Sequence, residues 1–372
     1  MGDLEDSLDI PRFYVSWRGQ THECRFLEDN GTAWWMERLR SIPGMAVKVI
    51  GSSRSGRPIY GIRIGDGPVH RSIVAGAHAD EPAGPIAACV FAEYAAALGD
   101  SGCSWYIIPQ VNPDGAEANK AWFAPVPDLK TYLAHVRREG PGDDIEFGYP
   151  GKGHKALRPE NTAAAQFFEG GAPFVAHASL HSMGLASGAW FLAGKEWSAI
   201  ADHPDRTVRL REYLSHAAAL QGFLLHDIDR RGEKGFTRIC RGFCTTPSSS
   251  GMRAHFQDDP DTANLFRLNS MEYIQSLGDD PLVMVSEIPN FALDGGWQPG
   301  IRPVERLDSP PPLPGETSYE RVRDAMKAAM QERGVSGAAA IARQHGAVPV
   351  PFSAHVTMQL EMLDAMIEAT KP

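Results

Sequence analysis

Short apolar runs alternate along this chain with longer segments in which apolar residues recur at helical spacing. The clearest run begins at residue 73 (IVAGAHADEPAGP) and changes after five residues into a polar turn that is followed by two prolines and a glycine. This pattern predicts a buried strand over residues 72–77 that ends in a sharp turn. The alanine-rich segment 85–98 that follows predicts a helix, with its prolines near the first turn, where proline is tolerated.

Other segments show the same two patterns. Tryptophans and aliphatic residues at helical spacing predict an amphipathic helix over residues 31–42. Alternating runs at 46–50 and 59–64, separated by the turn GSSRSGRP, predict a β-hairpin. The remaining main elements predicted in this way are strands at 105–109, 176–180, 189–192 and 282–286 and helices at 162–168, 205–219, 319–333 and 354–369.

The alternation of apolar strands with helices predicts an α/β fold with a mixed, mostly parallel sheet between helices. With 372 residues, 43% of them hydrophobic, the chain can bury one large core. We expect an N-terminal arm (1–30), one main domain (31–297), and a proline-rich linker with C-terminal helices packed on that domain (298–372). Within the main domain, the Pro-, Gly- and charge-rich segment 125–159 predicts a long excursion over the edge of the sheet, suited to a lid.

Charge and cysteine content limit the classes of partner. The 46 acidic and 36 basic residues give a formal charge of −10, which disfavours nucleic acid. There is no run of about 18 apolar residues to span a membrane, and the acidic first residues do not resemble a secretory signal. Five cysteines without a CxxC pair are typical of reduced thiols. We therefore expect a cytoplasmic protein with neither nucleic acid nor a membrane as partner.

Three residues from two of the predicted strand ends are suited to hold a metal ion. His78 and Glu81 lie three residues apart, which in a tight turn brings an imidazole and a carboxylate to one side. His181 follows the predicted strand 176–180 and is the best third ligand. Two histidines and a glutamate are a ligand set of zinc hydrolases, in which the fourth position is left open for water. The sequence therefore predicts a Zn²⁺ site.

The motifs, in this order, resemble those of the zinc carboxypeptidase family often called M14. The resemblance spans roughly residues 32–295 and rests on GSSRSGRPI, HADE, NPDG at 112–115, SLHS around His181, and Glu287 after the late apolar run LVMVS. It implies an eight-stranded mixed sheet between helices, Zn²⁺ on His78, Glu81 and His181, and Glu287 as the general base that passes a proton from water to the leaving amine. Desolvation at the end of an apolar strand would raise the pKa of Glu287 into a useful range.

The resemblance is weaker among the residues that would bind substrate. The family has an arginine after NPDG that polarises the scissile carbonyl, and Phe123 stands in its place here. Arg158 and Asn161 are the nearest counterparts of the Asn-Arg pair that binds a terminal carboxylate, and the alternative for Arg158 is an ion pair with Glu160 or Glu169.

Two further positions complete the candidate substrate-binding set. Asn112 belongs to the NPDG motif itself. The family has a loop tyrosine near residues 248–253, where this chain has none, and Arg253 is expected to point into the site instead. The candidate substrate-binding residues are therefore Asn112, Arg158, Asn161 and Arg253.

Three functions are compatible with these residues. The first is a zinc hydrolase that cleaves an amide bond in a small, carboxylate-bearing substrate, either a short peptide or an N-acyl amino acid. The second is a deacylase or amidase of the desuccinylase type that needs no terminal carboxylate. The third is a metal-bearing binding protein without activity, which Glu287 disfavours because a structural zinc site uses four protein ligands and needs no base.

Overall fold

A two-stranded hairpin precedes the main sheet. The computed structural model describes residues 11–99, 102–151, 153–194, 204–278, 280–312 and 317–371. The first ten residues of the predicted N-terminal arm lie outside the described residues. The rest of the arm forms strands β1 (Arg12–Trp17) and β2 (Gln20–Arg25), which pair antiparallel. Arg18 and Gly19 connect them with positive φ angles of 50° and 75°, as two-residue hairpin turns require.

Ten strands form the main sheet in the part of the chain that the structure describes. These strands are β3 (Met45–Ser52), β4 (Pro58–Ile64), β5 (Val69–Ala75), β6 (Cys103–Ile108), β7 (Ala176–Ala186), β8 (Trp190–Ala193), β9 (Arg238–Cys240), β10 (Phe243–Thr245), β11 (Leu282–Ala292) and β12 (Val348–Pro349). Their order is β3-β4-β6-β5-β7-β11-β8-β10-β9, and β12 pairs with β11. The strands that carry the motifs, β5, β7 and β11, therefore lie side by side at the centre.

Helices cover both faces of the sheet. They are α1 (Asp29–Arg40), α2 (Ala83–Ala97), α3 (Pro113–Asn119), α4 (Leu129–His135), α5 (Pro159–Glu169), α6 (Pro204–Leu220), α7 (Ser249–His255), α8 (Pro260–Ala263), α9 (Ser270–Ser276), α10 (Ser318–Gln344) and α11 (Phe352–Ala369). Successive side chains of strand β5 point to opposite faces of the sheet. Ile73 belongs to the core between the sheet and helices α1, α2, α6 and α11, whereas Val74 belongs to the core with α5 and α9. No helix in these ranges is both long and apolar enough to span a membrane.

The mixed α/β class is confirmed, and the details of the sheet correct the prediction. Among the described strands, parallel pairing is limited to β5–β6, β5–β7, β7–β11 and β8–β10, while the other five neighbouring pairs are antiparallel. The sheet has ten strands rather than eight. The short strands β9, β10 and β12 form in loop-like segments, where pairing with a neighbouring strand satisfies their backbone groups and no periodic apolar pattern is needed.

Strands β7 and β11 are both longer than the apolar runs that predicted them. They pair in parallel from Ala176 and Leu282 to Ala186 and Ala292, and His181 lies opposite Glu287 in this register. Both residues thus lie inside strands, and the prediction that each stands at a strand end is wrong. Polar residues interrupt the apolar runs because the side chains there face a cavity rather than the core.

Candidate metal centre

The turn between β5 and α2 carries two of the predicted ligands. Gly76 opens the turn with φ 70°, and a Cβ there would lie 2.0 Å from the Gln110 side-chain oxygen, so only glycine fits. The chain then turns sharply before α2 begins at Ala83. As a result His78 Nδ1 lies 2.8 Å from Glu81 Oε1.

The third predicted ligand reaches the same point from β7. His181 Nδ1 lies 2.8 Å from Glu81 Oε2 and 3.0 Å from His78 Nδ1. One donor atom from each of the three residues lies within 4.8 Å of the others. Two imidazole nitrogens and a carboxylate that converge in this way match the donor set of a zinc site with an open position. The residues present therefore fit Zn²⁺.

Electrostatics keep Glu81 in its anionic, ligand-competent form. Burial acts to raise the pKa of Glu81, but His78, His181 and Arg138 together outweigh burial and hold the pKa well below its ordinary value. The backbone N–H of Ser182 also donates to Glu81 Oε2 at 3.2 Å.

Two carboxylates that the sequence did not reveal stand behind the histidines. His181 Nε2 lies 2.8 Å from Ser179 Oγ and 3.3 Å from Glu146 Oε2, and His78 Nε2 lies 3.6 Å from Asp144 Oδ1. Such partners fix the orientation of a metal-binding imidazole and make it a better ligand. Burial acts to raise the pKa of Glu146. The hydrogen bond and the charge of His181 outweigh burial, so the pKa lies below its ordinary value and Glu146 is ionised.

Asp144 and Glu146 belong to the excursion 125–159, for which only a lid was predicted. The sequence signal was the pair of carboxylates two residues apart in GDDIEF, which alternation would direct to one side. Asn161 holds this segment in place, since its Nδ2 donates to the Ile145 carbonyl at 2.7 Å.

Glu287 faces the cavity beside the ligand cluster. It lies opposite His181 on one side and Trp190 of β8 on the other. Burial, followed by the negative charge of Glu81, raises the pKa of Glu287 to about 8. A carboxylate with this pKa can take up and release a proton near neutral pH.

A cavity of about 750 Å³ opens in front of these residues. Its inner wall contains the ligand cluster and Glu287. Its outer wall is formed by helix α10 and by the loop between α6 and β9. Both walls carry large apolar side chains that line the cavity, namely Met183, Trp190, Phe236, Met271, Met326 and Met330.

Arg138 is a cavity residue that sequence reasoning missed. Its Nη1 donates to Glu81 Oε1 at 3.0 Å and to Asp80 Oδ1 at 3.2 Å. These bonds use one nitrogen of the guanidinium, and 45% of the side chain is exposed at the cavity. Phe123, at the position expected for an arginine, packs instead against Phe26 with ring centroids 5.2 Å apart.

Arg158 and Asn161 do not line the cavity, which differs from the prediction. Both ends of the Arg158 fork are used by Glu160, with Nη2 2.7 Å from Oε1 and Nε 3.2 Å from Oε2. Its Nη1 donates to the Asp143 carbonyl at 2.7 Å. The observed contacts are therefore those of the alternative, an ion pair between Arg158 and Glu160. Asn161 donates a hydrogen bond to the Ile145 carbonyl, as described above.

Asn112 and Arg253 are also engaged outside the cavity. Asn112 caps α3 by accepting from the Gly115 N–H at 2.9 Å, and its Nδ2 donates to Glu139. Arg253 Nη1 donates to the Phe266 carbonyl at 3.0 Å instead of pointing into the cavity. Its neighbour Met252 is the cavity residue from α7.

Sequence comparison identifies a family that contains this ligand pattern. The sequence model of the zinc carboxypeptidase family matches residues 32–221. No curated protein matches the sequence of the chain.

Solved structures that are similar to this one share little sequence identity with the chain. A "putative metallopeptidase" from Shewanella denitrificans OS217 superposes with a TM-score of 0.51 at 13% identity, covering 96% of this chain and 95% of that one. Bovine thrombin-activatable fibrinolysis inhibitor gives a TM-score of 0.45 at 14% identity over 91% of this chain and 98% of that one. At these identities the first similarity concerns the fold alone.

Proposed function

The chain belongs to the zinc carboxypeptidase family, and on that premise we propose that it cleaves an amide bond in a small, carboxylate-bearing substrate, either a short peptide or an N-acyl amino acid. One observation carries the proposal. The donor atoms of His78, Glu81 and His181 converge within 4.8 Å, and Glu287 faces the same cavity from the adjacent strand.

Under this proposal His78, Glu81 and His181 hold Zn²⁺. Bound there, the ion would supply Lewis acidity, which polarises a carbonyl and lowers the pKa of water to about 7. Asp144 and Glu146 keep the two imidazole rings oriented so that both Nδ1 atoms face the ion.

Glu287 is the proposed general base. Its carboxylate accepts a proton from the attacking water and then donates that proton to the nitrogen of the leaving amine. Both steps require an acid whose pKa is close to the working pH, and the pKa of about 8 for the buried Glu287 supports this role. Apolar side chains line much of the cavity, and electrostatic contacts are stronger beside such surfaces than in bulk water.

Arg138 is proposed to orient the scissile carbonyl in place of the family arginine that Phe123 replaces. Its Nη1 is held by Asp80 and Glu81, which fixes the plane of the guanidinium. Nε and Nη2 then remain for a substrate oxygen, and a charge-assisted bond of this kind strengthens as negative charge develops on that oxygen.

The test is hydrolysis of a panel of dipeptides and N-acyl amino acids by the zinc-loaded protein. Activity on at least one member is expected, with loss on chelation and recovery when Zn²⁺ is returned. A protein that binds one zinc per chain and hydrolyses neither this panel nor the same compounds capped as neutral amides would instead be the non-catalytic binding protein.

A second candidate is an amidase or deacylase that needs no carboxylate next to the scissile bond. The observation in its favour is that Glu160 already occupies the guanidinium of Arg158, the predicted carboxylate binder. The two candidates separate when kcat/KM of the wild-type protein is measured on the same substrate as free acid and as capped amide. A preference for the acid of about two orders of magnitude, roughly 3 kcal/mol, would support a carboxylate-bearing substrate, and equal values would support the amidase.

A further inference from the structure

The outer part of the cavity carries a cluster of charges opposite in sign to the acidic side chains of the inner wall. Arg230, Lys234, Arg323 and Lys327 all line the cavity, and we call this set the cationic rim. Two members come from the loop between α6 and β9, and the other two lie one turn apart on α10. Separate elements thus bring four cations to one opening.

The two lysines of the cationic rim have no carboxylate partner among the described residues. Arg230 pairs with Glu233 at 2.9 Å, and Arg323 pairs with Asp324 at 2.9 Å. Burial, followed by the charge of Arg230, lowers the pKa of Lys234; the charge of Glu233 opposes this shift, and Lys327 and Arg323 add to it. Like charges held together in this way attract a counter-ion, and an anionic ligand would relieve their repulsion.

The backbone holds Lys234 in a conformation that side chains rarely adopt. Its φ of 57° and ψ of 13° lie in the left-handed region. The Ser248 N–H donates to the Lys234 carbonyl at 3.1 Å and ties it to the start of α7. Strained residues that the surrounding structure enforces occur preferentially at binding sites and ligand clamps. The backbone of Lys234 is therefore held in place at the cationic rim.

An apolar layer separates the cationic rim from the inner wall. Trp190 lies next to Glu287 across β8 and β11. The Trp190 ring stacks on Phe236 with centroids 5.6 Å apart, and the Arg230 guanidinium lies 4.4 Å from the Phe236 centroid. Two ring layers thus stand between the strand of Glu287 and the Arg230 guanidinium. The cavity volume of about 750 Å³ is that of sites that enclose a drug-sized molecule.

We propose that the substrate is an amphiphilic anion, in which an apolar segment fills the cavity and separates the scissile amide at the inner wall from an oxyanion held by Lys234 and Lys327. The position of the scissile bond rests on the proposed function, whereas binding of the apolar segment and the oxyanion does not. Asp144 and Glu146 at the inner end and cations at the outer end orient such a molecule in one direction.

The experiment measures binding of dodecanoate, dodecyl phosphate and neutral dodecanamide to the zinc-loaded protein by calorimetry, below their micelle concentrations. The variants are wild type, the double variant Lys234→Met with Lys327→Met, and a charge-matched control, Lys48→Met with Lys155→Met, whose lysines are exposed and lie outside the cavity. The carboxylate and phosphate probes show which oxyanion the rim prefers.

The double rim variant should bind both anions about tenfold more weakly, a change of about 1.4 kcal/mol, while dodecanamide binding and the control remain at wild-type values. Shortening the anion to hexanoate should also weaken binding, because less apolar surface is buried. Wild-type affinity for the anions in the rim variant would overturn the proposal. So would dodecanoate binding that is lost on zinc removal and insensitive to the lysines. Binding as expected without hydrolysis of any amide would contradict only the proposed function.

Discussion

The two walls of the cavity are built in different ways. On the inner wall each candidate ligand is held by several contacts: His181 alone contacts Ser179, Glu146 and Glu81 within 3.3 Å. On the outer wall Lys234 and Lys327 make no ion pair among the described residues, and flexible methionines supply much of the apolar surface. The inner wall is suited to fix reacting groups, and the outer wall is suited to select what reaches them.

The largest expected effect is on the inner wall, from His181→Ala. Removing this imidazole takes away one of three donors, so metal content should fall from about one per chain to near zero and hydrolysis should fall to background. The matched control is His216→Ala, an exposed histidine on α6. Elemental analysis and thermal unfolding are measured together, so that loss of metal is separated from loss of fold. Full metal content and activity in His181→Ala would show that the ligand assignment is wrong.

Next in size is Glu287→Gln. The amide is nearly isosteric but cannot accept the proton, so turnover should fall by about 10² to 10⁴, while zinc content and melting temperature stay close to wild type. Glu332→Gln, an exposed change of the same chemistry on α10, serves as the control. Near-normal turnover would move the base to another carboxylate, with Asp80 the first to examine.

A smaller effect is expected behind the ligands. Glu146→Gln should weaken zinc affinity by about 10- to 100-fold, because an amide supports the His181 ring less well than a carboxylate does. Asp144→Asn should have a weaker effect, since Asp144 lies 3.6 Å from His78 Nε2. Competition with a chromogenic chelator measures both, and Asp143→Asn from the same segment is the control. Wild-type zinc affinity in all three variants would show that Glu146 and Asp144 do not support the metal ligands.

Acidification tests two buried histidines that pack behind the walls of the cavity. It should have the smallest effect of the four changes, and the quantity it changes is the free energy of unfolding. Burial lowers the pKa of His177, behind the inner wall, to about 3, and that of His226, which contacts Trp190 and Tyr319, to about 4. Below about pH 6 the unfolded chain binds protons at these rings that the folded chain does not. At these two rings alone, the contribution to the free energy of unfolding should therefore fall with pH, by up to about 1.4 kcal/mol per pH unit for each ring.

Urea unfolding at pH 7, 6 and 5, with chelator present throughout, measures this dependence. His177→Asn removes one of these groups, so lowering the pH should reduce the free energy of unfolding of wild type relative to that of the variant. Identical slopes for the two proteins would mean that His177 is protonated in the folded state as readily as in the unfolded chain.

The inner wall was largely predictable because its signals are local. His78 and Glu81 share one turn, and that turn follows an apolar run, so their proximity depends on a few residues of chain. The α/β class followed from period-2 and helical patterns in the same way. The lengths of β7 and β11 were not predictable, because His181, Ser182 and Glu287 are polar residues inside strands that face a cavity and break the apolar pattern.

The outer wall, and the carboxylates that contact the ligand histidines, were less predictable because they depend on contacts between segments that are distant in sequence. Glu146 reaches His181 from 35 residues away in sequence, and Arg158 is neutralised by Glu160, which composition alone cannot distinguish from a free guanidinium. Helix α10 was predicted from its periodicity, but its position over the cavity depends on packing against α4. A sequence pattern therefore indicated the reacting groups better than the surfaces that would bind the substrate.

The central claim is that the inner wall holds the reacting groups and the outer wall binds the distal part of the substrate. The most direct test is a crystal structure of zinc-loaded Glu287→Gln with an anilide whose twelve-carbon acyl chain ends in a carboxylate. We expect an anomalous zinc peak between His78, Glu81 and His181, with the amide beside it and the carboxylate against Lys234 and Lys327. A zinc peak elsewhere, or a carboxylate at the inner wall with the chain leading out of the cavity, would contradict this account.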